Sequence, residues 1–254
     1  MESKLNRKYL WIPDLPDQRD KGYSVPAHVA GAMPTKVDLR NQCPAVYDQG
    51  ELGSCTANAI AAAHQFDQMK QQEVAFIPSR LFIYYNERKM EGTVNEDSGG
   101  MIRDGMKSIA KQGVCSETEC PYVISKFRNK PSAQCYKDAL DHQAGTYYSV
   151  NQLLSQMTGC LAAGYPFVFG FSVYESFESA AVAKTGKVPM PKQGESQLGG
   201  HAVLAVGYDD TQKRFIVRNS WGTKWGVKGY FTMPYDYLLD PSLADDFWTV
   251  RLVE

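Results

Sequence analysis

The sequence of 254 residues contains no apolar run of the ~18–20 residues that a membrane-spanning helix requires, so no helical anchor is expected. It has no excess of charge of either sign. With 27 Lys and Arg against 28 Asp and Glu, the net charge is −1, which gives no electrostatic reason to expect a nucleic acid or an anionic membrane as partner. Internal repeats and low-complexity segments are lacking, which excludes a repeat array. The opening residues Met1 to Lys8 hold no apolar stretch and no small-residue cleavage motif, so no secretory leader is expected. What is present is an ordinary folding composition, 43% hydrophobic and 22% charged, long enough to bury a sizeable core as one large domain or two small ones. The cysteines are Cys43, Cys55, Cys115, Cys120, Cys135 and Cys160. If one stays free for chemistry the others cannot all pair, and reduced thiols in a cytoplasmic setting are the expectation.

Residues 1–36 differ from the rest. Pro13, Pro16 and Pro26 with Asp14 and Asp17 punctuate them, so an extended or turn-rich segment is expected. Trp11, Ile12, Leu15 and Tyr23 carry more apolar surface than a free tail, which favours a strap packed on the body. From Ser54 to about Gln72 a helical period follows, with Ala59, Ile60, Ala63 and Phe66 inward and Gln65, Asp67 and Lys70 toward solvent. Ser79 is a plausible N-cap for a second helix through Met90, whose inner face includes Leu81, Phe82, Tyr85 and Met90. A third helix from about Gly100 to Gln112 stops at Gly113, and further helices are expected near 132–142 and 151–163. Short Val-, Phe- and Tyr-rich strands are expected at 166–173, 201–208, 215–219, 230–233 and 247–253. A helical first half and a strand-rich second half make an α+β protein with two lobes.

The chemistry gathers around Cys55. Gly53 and Ser54 break the chain just before the first long helix, so the thiol meets free N–H groups and the positive end of the helix dipole, which favour thiolate. A thiol that attacks a carbonyl also needs a base, a group to hold that base, and donors for the oxyanion. His201 opens a strand behind Gly199 and Gly200 and can present its ring at the strand end. Asn219 can orient that ring with a neutral amide oxygen. Gln49, in the loop ahead of Cys55, can direct a side-chain N–H to the spot that the Cys55 backbone N–H also reaches.

These blocks resemble papain-like cysteine peptidases, in a divergent, bacterial-type form. In that family His and Asn follow the cysteine by about 130–150 residues, a spacing that His201 meets and Asn219 slightly exceeds. The resemblance runs from Val37-Asp38-Leu39-Arg40 through Asn219-Ser220-Trp221-Gly222 to Trp225-Gly226 and Gly229-Tyr230. It implies a two-lobed fold, with a helical lobe at about 50–148 and an antiparallel, β-barrel-like lobe at about 149–254, an active-site cleft lying between them. Residues 37–254 would form the peptidase domain and 1–36 an extended segment or short pro-segment. The activity implied is hydrolysis of peptide bonds in a polypeptide substrate through a thioester, with no cofactor or metal. Cys55 would be the nucleophile, paired as thiolate with the His201 imidazolium in the resting state. Asn219 would be the orienter, Gln49 the oxyanion donor, and Trp221 the indole shielding the His–Asn pair. Gly99 and Gly100 would pair with substrate backbone, and Met101 and Ala202 would line an apolar side-chain pocket. The segment 1–36 would lie across the cleft as a self-occluding strap.

Two departures stand out. The family's Cys-Gly-Ser-Cys-Trp reads Leu52-Gly53-Ser54-Cys55-Thr56, so half of a disulfide common in secreted relatives is gone, and an aromatic beside the nucleophile is replaced by Thr56. Neither removes a group the reaction requires. The alternatives are another thiol acyl-transfer enzyme (an amidase or transpeptidase) and a catalytically silent peptide-binding module. His28, His64 and His142 read as structural or solvated. The gaps among Cys115, Cys120, Cys135 and His142 do not match common structural zinc spacings. Asp97, Asp209 and Asp210 read as turn residues.

Overall fold

The computed structural model describes residues 7–253. Two regions of different make-up meet face to face. The first is built on helices α2 (Cys55–Lys70), α3 (Arg80–Glu91), α4 (Ile102–Gln112) and α5 (Ala133–Ala139). The second is a sheet of β1 (Lys36–Asp38), β2 (Thr146–Ser149), β3 (Phe167–Tyr174), β4 (Gln197–Asp209), β5 (Arg214–Arg218), β6 (Tyr230–Pro234) and β7 (Ala244–Leu252). Shorter helices α1 (Ala27–Ala30), α6 (Leu154–Ala162), α7 (Ala180–Thr185) and α8 (Tyr235–Leu239) decorate these layers.

Helix α2 is the central rod. Its alanines admit close neighbours, and it packs against α3, α4, β4 and β7. Burial on every side is the reason that Gln65 and Asp67, expected in solvent, are inside; only the end at Lys70 is exposed. Gln65 accepts a hydrogen bond from the Tyr47 hydroxyl, whereas the Asp67 oxygens lack a protein partner and burial pushes that carboxyl up to about 8. Ser79 caps α3 by accepting from the Phe82 N–H at 3.1 Å, and Gly92 ends it in the left-handed conformation. Met90, expected on the inner face, is exposed. Helix α4 starts at Met101, whose side chain cannot cap, and the missing acceptor comes from far away: Asp14 Oδ1 takes the Arg103 N–H at 3.0 Å.

All named pairings in the sheet are antiparallel, in the order β2-β7-β3-β4-β5-β6, with β1 beside β4. The expected barrel-like closure does not occur. Strands β2 and β6 are the two ends of an open sheet, and each end is engaged elsewhere. Beyond β2 the N-terminal segment adds a bridge, Gly22 to Ser149, with Tyr23 N–H donating to the Ser149 carbonyl at 2.7 Å. Beyond β6 a loop does the same, with Val188 N–H donating to the Thr232 carbonyl at 3.0 Å. Edges satisfied by irregular chain have no need to find one another. The sheet core is aromatic: Phe167, Phe169, Phe171, Phe177, Phe215 and Phe231 are fully buried.

The segment before β1 runs over both regions. Trp11 N–H donates to the Gly200 carbonyl at 2.9 Å and Ile12 N–H to the Gly100 carbonyl at 3.1 Å, so adjacent residues hold opposite walls. The Trp11 indole sits over Gly170, where a Cβ would fall 1.9 Å from the ring.

Candidate active site

Cys55 is the first residue of α2 and is fully buried. The loop ahead of it is held by many small ties. Asp97, expected as a turn residue, is its hub: its carboxylate accepts from Gly53 N–H at 3.0 Å, from the Tyr84 hydroxyl at 2.6 Å and from Lys8 Nζ at 2.7 Å. The Ser54 hydroxyl lies 2.6 Å from that of Tyr122 and accepts from Asn58 Nδ2 at 3.1 Å. Behind the helix start, Thr56 donates to Glu87 Oε2 at 2.8 Å. Glu87 is completely buried, and desolvation holds its carboxyl well above the usual range, hence neutral.

Gln49 reaches the same spot from the facing wall. Its N–H donates to the Ser220 carbonyl at 2.9 Å, and its amide is fixed at both ends: Nε2 donates to the Leu52 carbonyl at 2.9 Å and Oε1 accepts from the Ser220 hydroxyl at 2.6 Å. Ser220 therefore decides which way the amide faces. The sequence offered one signal for that role, its place between Asn219 and Trp221.

His201 comes from β4, where it pairs in register with Phe171 of β3. Its Nε2 lies 2.9 Å from Asn219 Oδ1, and that oxygen also accepts from Ser220 N–H at 2.8 Å. An oxygen that takes a main-chain N–H is an acceptor, so Nε2 carries the hydrogen and Nδ1 of the neutral ring holds the lone pair. Nδ1 is buried without a protein partner. Trp221 stacks on the imidazole at 4.9 Å and 23°, Tyr9 meets its edge at 6.1 Å, and the Arg7 guanidinium sits 4.0 Å from the Trp221 ring. The main-chain N–H of Ala202, next after His201, favours the ionised form of the Cys55 sulfur. Gln49, Cys55, His201, Asn219 and Trp221 are thus gathered where the two regions meet.

Covered in this way, the pair is dry. Burial pushes the Cys55 thiol up to about 12, although hydrogen bonds from the Ala202, Thr56 and Cys55 N–H groups pull the other way. Burial also lowers His201 to about 4; the Asn219 bond opposes this and the Arg7 charge adds to it. Desolvation thus opposes the helix dipole at Cys55 and works against charge on both groups while they are covered.

Gly99 and Gly100 line the helical wall, with Gly99 in the left-handed region at φ 77 and a Cβ there only 1.7 Å from the Leu10 carbonyl oxygen. Met101 donates its N–H to Glu91 Oε1 at 2.8 Å and is half-buried; Ala202 is fully buried on β4.

Comparison with known proteins agrees with this geometry. Residues 33–238 match the family described as papain family cysteine protease. An uncharacterized peptidase C1-like protein of Acanthamoeba polyphaga mimivirus is 44% identical over 99% of this chain and 89% of its own length. A cathepsin L-like proteinase of Fasciola hepatica is 28% identical over 80% of this chain, which spans 60% of that relative. The crystal structure of xylellain, a cysteine protease from Xylella fastidiosa, superposes with a TM-score of 0.91 at 48% identity, covering 99% of both chains. The fold extends to procathepsin L 3 of Tenebrio molitor, with a TM-score of 0.71 at 19% identity over 98% of this chain and 77% of that one. The chain belongs to the papain family of cysteine proteases and hydrolyses peptide bonds by the papain-type, thiol-dependent mechanism.

Proposed function

We propose that Cys55 is the nucleophile of this peptidase, His201 its acid and base, Asn219 the orienter of His201, and Gln49 an oxyanion donor. The observation that carries the assignment is the division of labour in the imidazole. Nε2 is committed to Asn219, while Nδ1 is buried and unpartnered, and the N–H of Ala202, next along β4, favours the ionised Cys55 sulfur. The Cys55 proton passes to Nδ1 as sulfur attacks the scissile carbonyl. The Cys55 N–H and a Gln49 Nε2 hydrogen stabilise the oxyanion, with the amide held by Ser220. Collapse breaks the C–N bond, and the amine leaves with the proton from His201. Water then gives a proton to Nδ1 and its oxygen attacks the thioester; sulfur leaves and recovers that proton. Trp221 keeps the His201–Asn219 bond dry, and Gly99 and Gly100 accept an extended polypeptide backbone, with Met101 and Ala202 bordering it.

The same reading makes the N-terminal segment a built-in occluder. Tyr9 to Ile12 take main-chain positions on both walls that an extended substrate needs. Substrate then enters only after this segment is displaced or cut.

Cys55→Ala and His201→Ala are expected to abolish peptide turnover with unchanged melting temperature. Turnover by either variant near that of the parent overturns the assignment. Deletion of residues 1–31 is expected to raise turnover of a short fluorogenic peptide at limiting substrate; no change removes the occluder role.

A further inference from the structure

Away from the candidate active site, the chain returns twice to one small region. Cys115 follows the end of α4, and its carbonyl accepts from Ser79 N–H at 2.9 Å. The Ser79 hydroxyl donates to the Cys120 carbonyl at 2.7 Å, so the cap of α3 pins both ends of the 115–120 loop. Cys135 lies in the first turn of α5, its N–H on the Ser132 hydroxyl at 3.2 Å. The Cys115 sulfur, the Cys135 sulfur and a Glu119 carboxylate oxygen all fall within 4.8 Å of one another. The two cysteines are buried, and Glu119 stands at the rim. Cys120, at the end of the same loop, is half-buried.

We propose that Cys115, Cys135 and Glu119 form a site for one thiophilic divalent ion of the zinc class, with solvent taking the fourth position. A tetrahedral ion with bonds of about 2.3 Å to sulfur and about 2.0–2.2 Å to oxygen brings its donors to about 3.8 Å or less from each other. Closing from the observed spacing needs small side-chain rotations on backbones already fixed by Ser79 and Ser132. Thiol sulfur selects against calcium and magnesium, which take oxygen ligands. Sequence spacing hid the set because the ligands come from two segments, and because the carboxylate, not His142, completes it. Thiols and a carboxyl bind a metal in deprotonated form, so metal entry expels protons and affinity rises with pH.

The test uses the full chain carrying Cys55→Ala, so that the reactive sulfur neither binds metal nor digests the sample. Reduced, metal-free protein is titrated with Co²⁺, then Zn²⁺, with sulfur-to-cobalt charge-transfer absorption, equilibrium dialysis and proton release as readouts. The expected result is one ion per chain, cobalt bands bleached by equimolar Zn²⁺, and a rise in melting temperature. Cys135→Ser is expected to lose charge-transfer intensity. Glu119→Gln, at an exposed position that spares the fold, is expected to weaken binding by about tenfold or more. Absence of stoichiometric binding overturns the proposal, as does binding indifferent to Glu119→Gln and Cys135→Ser. A Cys115–Cys135 disulfide that forms in air in protein unable to take up metal overturns it in favour of a redox pair.

Discussion

The N-terminal segment is held in two ways along its length, and the contrast separates shape from chemistry. Tyr9 to Ile12 are held by main-chain bonds to Gly100 and Gly200, with glycines admitting the backbone closely. A few residues on, Asp14 is gripped by side chains and helix geometry. Its carboxylate takes the Arg103 N–H at 3.0 Å and the Trp248 indole N–H at 2.9 Å, while its own N–H donates to Asp246 Oδ2 at 2.8 Å. The first half would accept almost any extended chain. The second accepts this one, and it titrates.

The largest test of this contrast is Trp11, which belongs to both halves: its main-chain N–H donates to the Gly200 carbonyl and its indole donates to Asp246 Oδ2 at 3.0 Å. Trp11→Ala is expected to cost about 3–5 kcal/mol of docking, read as loss of hydrogen-exchange protection over residues 9–23. Gly99→Ala attacks the main-chain half alone. With φ at 77 and the Leu10 oxygen in the way, it is expected to cost about 1–2 kcal/mol in backbone strain before any displacement of Leu10.

The side-chain half is tested by pH. Burial raises Asp246 to about 8, with the Asp14 and Asp245 charges adding to it and the bonds from Asp14 N–H and Trp11 opposing. Burial raises Asp14 to about 6, and the Arg103 N–H, the Trp248 indole and the Arg103 charge oppose while Asp104 adds a little. Both carboxyls hold protons more tightly when docked than when free. Their stabilisation is complete below the ordinary carboxylate range near 4 and is lost as pH rises through 6 and 8. Docking is expected to loosen by about tenfold or more between pH 5 and 8.5, measured by protease nicking of the segment in Cys55→Ala protein. Asp246→Asn is expected to flatten that dependence; an unchanged slope means the pair does not govern it. Trp248→Phe removes one hydrogen bond and keeps the ring, so about 1 kcal/mol is expected from the same readout.

The sequence made the first region's elements readable because Ser79 and Gly113 mark helix ends through capping chemistry that needs no tertiary context. Cys55, at the head of α2, and Asn219, just past β5, each sit at an element's end beside a Gly, Ser or Trp landmark, whereas His201, expected to open a strand and present its ring there, lies inside β4 and is fully buried. What escaped depended on distant partners. The solvent side of α2 was misjudged because periodicity cannot register a helix buried on both faces. Barrel closure failed because both sheet edges are taken by chain without strand character. Asp97 looked like a turn, and only the fold brings Gly53, Tyr84 and Lys8 to its oxygens. The desolvation of Cys55 and His201 was beyond local reasoning, since both become fully buried only in the assembled fold.

That last arrangement bears on how long the molecule keeps its reactive sulfur. Arg7 and Tyr9 crowd the indole and imidazole, and the Cys55 thiol is itself fully buried. A buried thiol is a slow target for peroxide and for alkylating agents. The intact chain would thus withstand aerated buffer, whereas one trimmed at its amino end would need a reducing agent to survive storage.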